Sequence, residues 1–250
     1  MIEKPNYKRI LFISDIHCPY HDTKSVSALC SFSKWYKPDT LVFLGDVIDF
    51  YAISHFVKDP KRALELQREI DVTKQVLKQI TATVPKKVKK IMIAGNHEAR
   101  LQKFLWTRAA ELSGLDGLEL ANLLGLNDLG IKYYRNGRLK YKGMIFKHGD
   151  IVRKYAGYTA RGEFDSSGMS GVSVHTHRLS QYYYTSESGE YLWTEAGCLC
   201  KLDQEYLRGK TPNWQPGFAI GYYKTGSQRF HVDVVPIVKG KAMYGGYEFS

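Results

Sequence analysis

No apolar run in this chain approaches the roughly 18 residues that a membrane-spanning helix needs. The opening stretch, Met1 to Lys8, is polar and charged, with no apolar segment behind it that would make a secretory leader. A soluble cytoplasmic protein with no membrane partner is expected. Cysteine is scarce: Cys18, Cys30, Cys198 and Cys200 are the only four, which does not suggest a disulfide framework without an export signal. Cys198 and Cys200 flank a single residue, poor spacing for a structural zinc clamp, so all four read as buried thiols. Internal repeats, low-complexity tracts and linker-like stretches are missing as well, which points to one domain over residues 1–250. Acid is also in short supply, with 25 Asp and Glu against 36 Lys and Arg, a net charge of +11. The imbalance is local. Lys132, Arg135, Arg138, Lys140, Lys142, Lys147, Arg153, Lys154 and Arg161 face only Asp150, which puts +8 of the +11 in one segment. Such an excess favours polyanions, nucleic acid and phosphorylated substrates among them.

What is present is ordinary globular material: 44% of the residues are hydrophobic, enough for a full core. Lys8 to Ser14, Thr40 to Leu44 and Lys90 to Ala94 are short runs of β-formers that read as buried strands. Between and after them, helices are predicted over Val26 to Tyr36, from Asp59-Pro60 through Ala63, Leu66, Ile70, Leu77 and Ile80 towards Pro85, and over Ala99 to Leu112. This alternation gives an α/β fold with a parallel sheet, in which ligands gather beyond the carboxyl ends of the strands. From Ile131 onward short β-like runs dominate: Leu139 to Lys147, Val172 to His177, Leu179 to Tyr184, Tyr191 to Glu195, Phe218 to Tyr223 and Phe230 to Val235. They predict a second, more antiparallel sheet facing the first.

Five short polar clusters stand at strand ends or beside glycine: Asp15-Ile16-His17, Gly45-Asp46-Val47-Ile48-Asp49, Gly95-Asn96-His97-Glu98, His148-Gly149-Asp150 and His175-Thr176-His177. Mixed Asp, Asn and His ligands suit manganese, iron, zinc or nickel better than calcium or magnesium. On extended backbone, alternate side chains share a face, so both members of a DxH or HxH pair can meet one ion. A carboxylate such as Asp46 can bridge two.

In order and spacing, the set DxH, GDxxD, GNHE, HGD and HTH resembles the calcineurin-like metallophosphoesterases over Asp15 to His177. The resemblance implies a four-layer αββα sandwich of two facing mixed sheets, and two divalent metal ions, manganese first, with iron, zinc or nickel as alternatives. It implies that Asp15, His17, Asp46 and His177 hold one ion, and that Asp46, Asn96, His148 and His175 hold the other. A water between the ions would be the nucleophile. His97 matches the family's non-ligand histidine, which would give a proton to the leaving oxygen, and Asp49 matches the acid that orients that imidazole. Two positions depart from the pattern. Val174 stands where a glycine usually precedes the first histidine of the last motif, and Phe50-Tyr51 stand where protein phosphatases carry Arg-Gly.

The implied activity is phosphate-ester hydrolysis. The basic segment around His148 favours a phosphodiesterase or nuclease acting on nucleic acid or nucleotides. A phosphomonoesterase or protein Ser/Thr phosphatase is the alternative: Glu98 in the third motif leans towards it, and the missing Arg after Asp49 leans against. Retention of His97 and of every ligand argues against a scaffold that uses the fold only for interaction. Tyr133, Tyr134, Tyr141, Tyr155 and Tyr158 could stack on bases, although sheet-face packing suits most of them better. Arg100 could reach phosphate, although a solvated helix residue is the better reading; Cys18, His21 and His55 read as loop residues, Arg178, directly after the last ligand, as equally able to face the site or not, and Asp150 as a support for His148 or its loop.

Overall fold

The computed structural model describes residues 7–56, 66–203, 209–226 and 230–250. The first strand, β1 (Tyr7–Ile13), is followed by α1 (Thr23–Tyr36), whose first turn is closed by Asp22 accepting from the N–H groups of Lys24 and Ser25. β2 (Thr40–Phe43), α2 (Leu66–Thr81), β3 (Lys89–Ile93), α3 (Glu98–Arg108), the single turn α4 (Leu120–Leu123) and β4 (Ile131–Tyr134) complete the βα half. The Asp59-Pro60 helix start and Ala63 lie outside the described residues. α3 ends before the expected Leu112, which falls in a separate 3-10 turn.

The expected strand Leu139 to Lys147 is a hairpin, β5 (Arg138–Tyr141) and β6 (Met144–Lys147), turned at Lys142-Gly143 where both residues have positive φ. α5 (Tyr158–Ser167) was not foreseen; its apolar positions are too few to stand out from a polar stretch. Then come β7 (Gly171–Ser173), β8 (Leu179–Ser186), β9 (Gly189–Ala196), β10 (Gly217–Lys224), β11 (Phe230–Val238), β12 (Lys241–Tyr244) and β13 (Tyr247–Phe249).

The larger sheet runs β13-β12-β11-β10-β1-β2-β3-β4, and the smaller runs β5-β6-β7-β9-β8. β1 to β4 are mutually parallel, and β10 joins antiparallel to β1. One expectation is therefore corrected. Phe218 to Tyr223 and Phe230 to Val235 extend the first sheet and do not belong to the second. The smaller sheet is mixed, with β6, β7 and β9 parallel.

Alternation along the strands builds the layers. Leu11, Ile13, Leu41, Phe43 and Met92 face α1, α2 and α3, packing on Leu29, Phe32, Leu77, Ile80 and Leu101. Ile10, Phe12, Val42, Leu44, Ile91 and Ile93 face the other sheet and meet Met144, Phe146, Val172 and Val174. On the far side of the smaller sheet, Ile145 and Trp193 pack under Ala160 and Phe164 of α5. The order is helices, sheet, sheet, helix: a four-layer αββα sandwich. Trp193 is fully buried and donates its indole N–H to Ser173 Oγ at 2.9 Å. Its ring lies against Gly171, where a Cβ would stand 2.6 Å from the ring carbons.

Candidate metal centre

The five polar clusters leave the carboxyl ends of β1, β2, β3, β6 and β7, and the chain turns sharply at each. Asp15, His17, Asp46, His175 and His177 all have positive φ, between 44° and 78°. For residues with a Cβ that conformation costs energy and persists only where the surroundings impose it. Here they do. The His17 N–H donates to Asp46 O at 2.8 Å, and the His175 N–H donates to Asp15 Oδ2 at 3.0 Å.

Glu98, 3% exposed, ties two of the loops together. Its carboxylate accepts from the N–H groups of Gly95 (2.7 Å), Asp46 (2.8 Å), Val47 (2.8 Å) and Ile48 (3.4 Å). Burial and the charge of Asp46 push its pKa up, and those N–H groups pull the other way. Gly95 is required by the close approach: a Cβ there would strike the Asp46 carboxylate and stand 2.6 Å from the Asp46 nitrogen.

Two nests of electron-pair donors result. In the first, His17 Nε2 stands 3.1 Å from His177 Nε2, 3.9 Å from Asp15 Oδ1 and 3.6 Å from Asp46 Oδ2. In the second, His148 Nε2 stands 2.9 Å from Asn96 Oδ1, 3.2 Å from His175 Nδ1 and 3.2 Å from Asp46 Oδ2. The same Asp46 oxygen therefore lies between the nests. All seven residues expected as ligands come together. His177 lies in the first nest and His175 in the second, as the resemblance implied; what is corrected is the backbone, since β7 ends at Ser173 and both histidines are left-handed and not extended. Val174, at the position usually held by glycine, is buried between the sheets and donates its N–H to His148 O at 2.8 Å.

The donor set fits cations. His148 Nδ1 points at the Leu44 carbonyl at 3.0 Å, and His17 Nδ1 points at Asp49 Oδ2 at 3.1 Å. Both partners only accept, so each Nδ1 carries the hydrogen, which leaves Nε2 as the ring atom that can offer a lone pair to a cation. Those Nε2 atoms face Asp46 Oδ2, Asp15 Oδ1 and Asn96 Oδ1, oxygens that can only accept. Asp15 Oδ1 is buried without a hydrogen-bond partner, which is costly for a carboxylate unless a cation stands beside it. Burial first, then the charge of Asp46, push the Asp15 pKa up to about 7 against the pull of His148 and His17. Burial opposes a charge on His148 too, but Asp46 outweighs it and lifts that imidazole to about 10. Burial and the neighbouring His17 push His177 well down.

Asp49 has a second partner besides the one expected. Its carboxylate lies nearer His17 Nδ1 (3.1 Å) than His97 Nδ1 (3.5 Å). His97 Nδ1 instead donates to the backbone oxygen of Asp49 at 2.8 Å. Asp49 thus orients His97 chiefly through its main chain, with its carboxylate at longer range, and orients His17 through its carboxylate. Burial raises the Asp49 pKa, but hydrogen bonds from both histidines hold it well below the usual carboxylate range.

Arg100 is no solvated helix residue. With its side chain only 14% exposed, it donates to Asp49 O at 2.8 Å and to His97 Nε2 at 2.9 Å. Its position three residues after His97 on one helix is the signal that could have found it. His97 Nε2 itself stands 3.8 Å from Asp46 Oδ2, at the edge of the nests.

Other singled-out residues have quieter places. Asp150 turns to Lys147 at 2.8 Å and not to His148, and Lys147 also pairs with buried Glu163 at 2.6 Å. Arg135 pairs with Glu119, and Arg161 with Asp165, so part of the basic segment is neutralised locally. Tyr133, Tyr134 and Tyr141 pack against the cores, whereas Tyr155 and Tyr158 are exposed. Cys18 is buried, His21 bridges to Cys200, and His55 stacks on Phe56. Trp214 was overlooked by the sequence reasoning; its ring lies 4.3 Å from that of His177. No helix among the described residues is long and apolar enough to cross a membrane.

Comparison with known proteins agrees with this geometry. The calcineurin-like phosphoesterase family matches residues 8–234. The gene 54 protein of Mycobacterium phage L5 is 29% identical, with 96% of this chain and 97% of that protein covered. Its counterpart in Mycobacterium phage D29 is also 29% identical, with 96% and 98% covered. Among solved structures, vacuolar protein sorting 29 from Cryptosporidium parvum aligns with a TM-score of 0.48 at 15% identity, covering 98% of each chain. Zinc-complexed Vps29 from Entamoeba histolytica aligns at 0.45 and 10% identity, covering 94% of this chain and 96% of its own. With a family match that takes in nearly the whole chain and a site of paired donor nests, this protein belongs to the calcineurin-like phosphoesterases, metal-dependent phosphoric ester hydrolases.

Proposed function

We propose that the protein is a dinuclear phosphodiesterase or nuclease acting on nucleic acid or nucleotides, with manganese the first choice of metal. The observation that carries the reading is Asp46 Oδ2, 3.2 Å from His148 Nε2 and 3.6 Å from His17 Nε2, one oxygen serving both nests. Asp15, His17, Asp46 and His177 would hold one ion, and Asp46, Asn96, His148 and His175 the other. When bound, such a pair supplies an acidified water and positive charge against the phosphoryl oxygens.

The chain's own groups do the rest. Asp49 O fixes the hydrogen on His97 Nδ1, so Nε2 is the ring's one site for a transferable proton. From there His97 would give a proton to the leaving oxygen, with the Asp49 carboxylate 3.5 Å from its Nδ1. Arg100 occupies Nε2 in this structure and must shift towards the incoming phosphate, which its guanidinium suits.

Glu98 does not favour the monoesterase alternative. Its carboxylate is occupied by backbone N–H groups, so its identity reports on loop anchoring and not on substrate. Paired assays on bis-p-nitrophenyl phosphate and p-nitrophenyl phosphate with manganese test the reading. Preferential diester turnover is expected; equal or faster monoester turnover overturns it.

A further inference from the structure

The loop that follows His148 gathers exposed rings and a cation, and it is tied to the last donor motif. The loop after His148 carries Tyr155, 51% exposed, and Tyr158, 61% exposed, with ring centroids 5.4 Å apart and planes at 88°. Lys154 Nζ lies 5.2 Å from the Tyr155 ring centre. The loop is fixed to the last metal-binding motif. Buried Glu195 accepts from the Gly157 N–H at 3.0 Å and from Thr176 Oγ1, between the two histidines, at 2.6 Å. Arg178, next to His177, donates to Arg153 O at 2.6 Å and to Asn213 O at 3.3 Å, so it joins this loop to the segment carrying Trp214. Tyr155 and Tyr158 thus stand exposed on a loop tied to Thr176 and Arg178, the residues on either side of His177; Lys154 beside them makes no ion pair among the described residues, while Tyr133, Tyr134 and Tyr141 are spent on packing.

We propose that Tyr155, Tyr158 and Lys154 form a stacking platform that makes single-stranded nucleic acid the substrate. The inference rests on the phosphodiesterase reading above and narrows it. Exposed rings stack on base faces, which a single strand offers and a duplex keeps covered by its own stacking. Lys154, beside the Tyr155 ring, supplies positive charge for the backbone of the strand. With Tyr155 and Tyr158 at right angles, a base can lie on one ring and press its edge to the other.

The test measures binding of the manganese-loaded protein to a phosphorothioate oligothymidylate, which resists hydrolysis, and to a duplex of the same length, by fluorescence anisotropy. The single strand is expected to bind more tightly. Y155A/Y158A is expected to weaken it roughly 5- to 100-fold, while Y155F/Y158F, which keeps both rings, restores it. K154A is expected to reduce the slope of log affinity against log salt by about 0.7. Equal or tighter duplex binding, or an alanine variant that binds like the wild type, overturns the platform. Turnover of bis-p-nitrophenyl phosphate, measured in parallel, separates the two readings. Its absence overturns the phosphodiesterase and with it the platform's role; its presence with no strand preference overturns the platform alone.

Discussion

Glu98→Gln is nearly isosteric, yet it should behave almost as badly as Glu98→Ala. The carboxylate serves two N–H groups through each oxygen: Gly95 and Asp46 at Oε2, Val47 and Ile48 at Oε1. An amide has one oxygen. In its better orientation it keeps the 2.7 and 2.8 Å bonds to Gly95 and Asp46 and turns its NH2 towards the Val47 and Ile48 N–H groups. Two buried donors then lose their acceptor, at about 1–3 kcal/mol each. Because the Ile48 bond is long, 3.4 Å, a loss of about 2–4 kcal/mol is expected. For a chain of this size that lowers Tm by about 5–15 °C. The same change frees the Asp46 loop, so manganese binding should weaken as well. Thermal unfolding followed by circular dichroism and manganese titration by calorimetry measure both. A Tm within about 2 °C of wild type, with unchanged manganese affinity, would show that the four N–H groups do not depend on a carboxylate and refute the clamp.

Three further outcomes follow from the same geometry. His97→Ala should keep its manganese content, since His97 lies outside the proposed ligand sets, and lose about 10²- to 10⁴-fold in turnover; full activity would remove its proton-holding role. Asp46→Asn should weaken both ions together, by more than the ~10- to 100-fold that outer partners of metal ligands cost, and elemental analysis showing one ion fully retained would contradict a shared oxygen. Chelator-treated protein should lose stability as pH rises above 7, when Asp15 at about 7 has largely titrated and His148 at about 10 has not. Because the His148 pKa is raised on folding, its contribution is complete below the ordinary imidazole value of about 6.5 and is lost as pH passes about 10. Manganese requires His148 neutral, so loading should release protons and flatten that profile; thermal melts against pH, with and without manganese, check it.

The donors of the centre were legible because strand ends and ligand types both leave local marks: an apolar run, then Asp, Asn or His beside glycine. What those marks do not carry is backbone direction. Spacing alone would put His175 and His177 on one face of a strand; the motif order already parted them between the two ions, and the left-handed backbone at both is what no local mark shows. Sheet membership was equally hidden. β10 and β11 look like the other late strands, and only long-range pairing of β10 with β1 places them in the first sheet. Asp49 was recognised as an orienting residue, but a carboxylate between two imidazoles has no sequence signature for which one it prefers. Glu98 was read for chemistry when its job is anchoring, a task visible only once the N–H groups of two loops converge on it. Tyr155 and Tyr158 differ from Tyr133 and Tyr141 only in burial, which composition cannot assign.

Electron paramagnetic resonance of the manganese-loaded protein tests the shared-oxygen centre most directly. If Asp46 Oδ2 serves both nests, two manganese ions per chain should give the multiline spectrum of an exchange-coupled pair, and Asp46→Asn should abolish the coupling. A spectrum of isolated ions only, at full loading of the wild type, would contradict it.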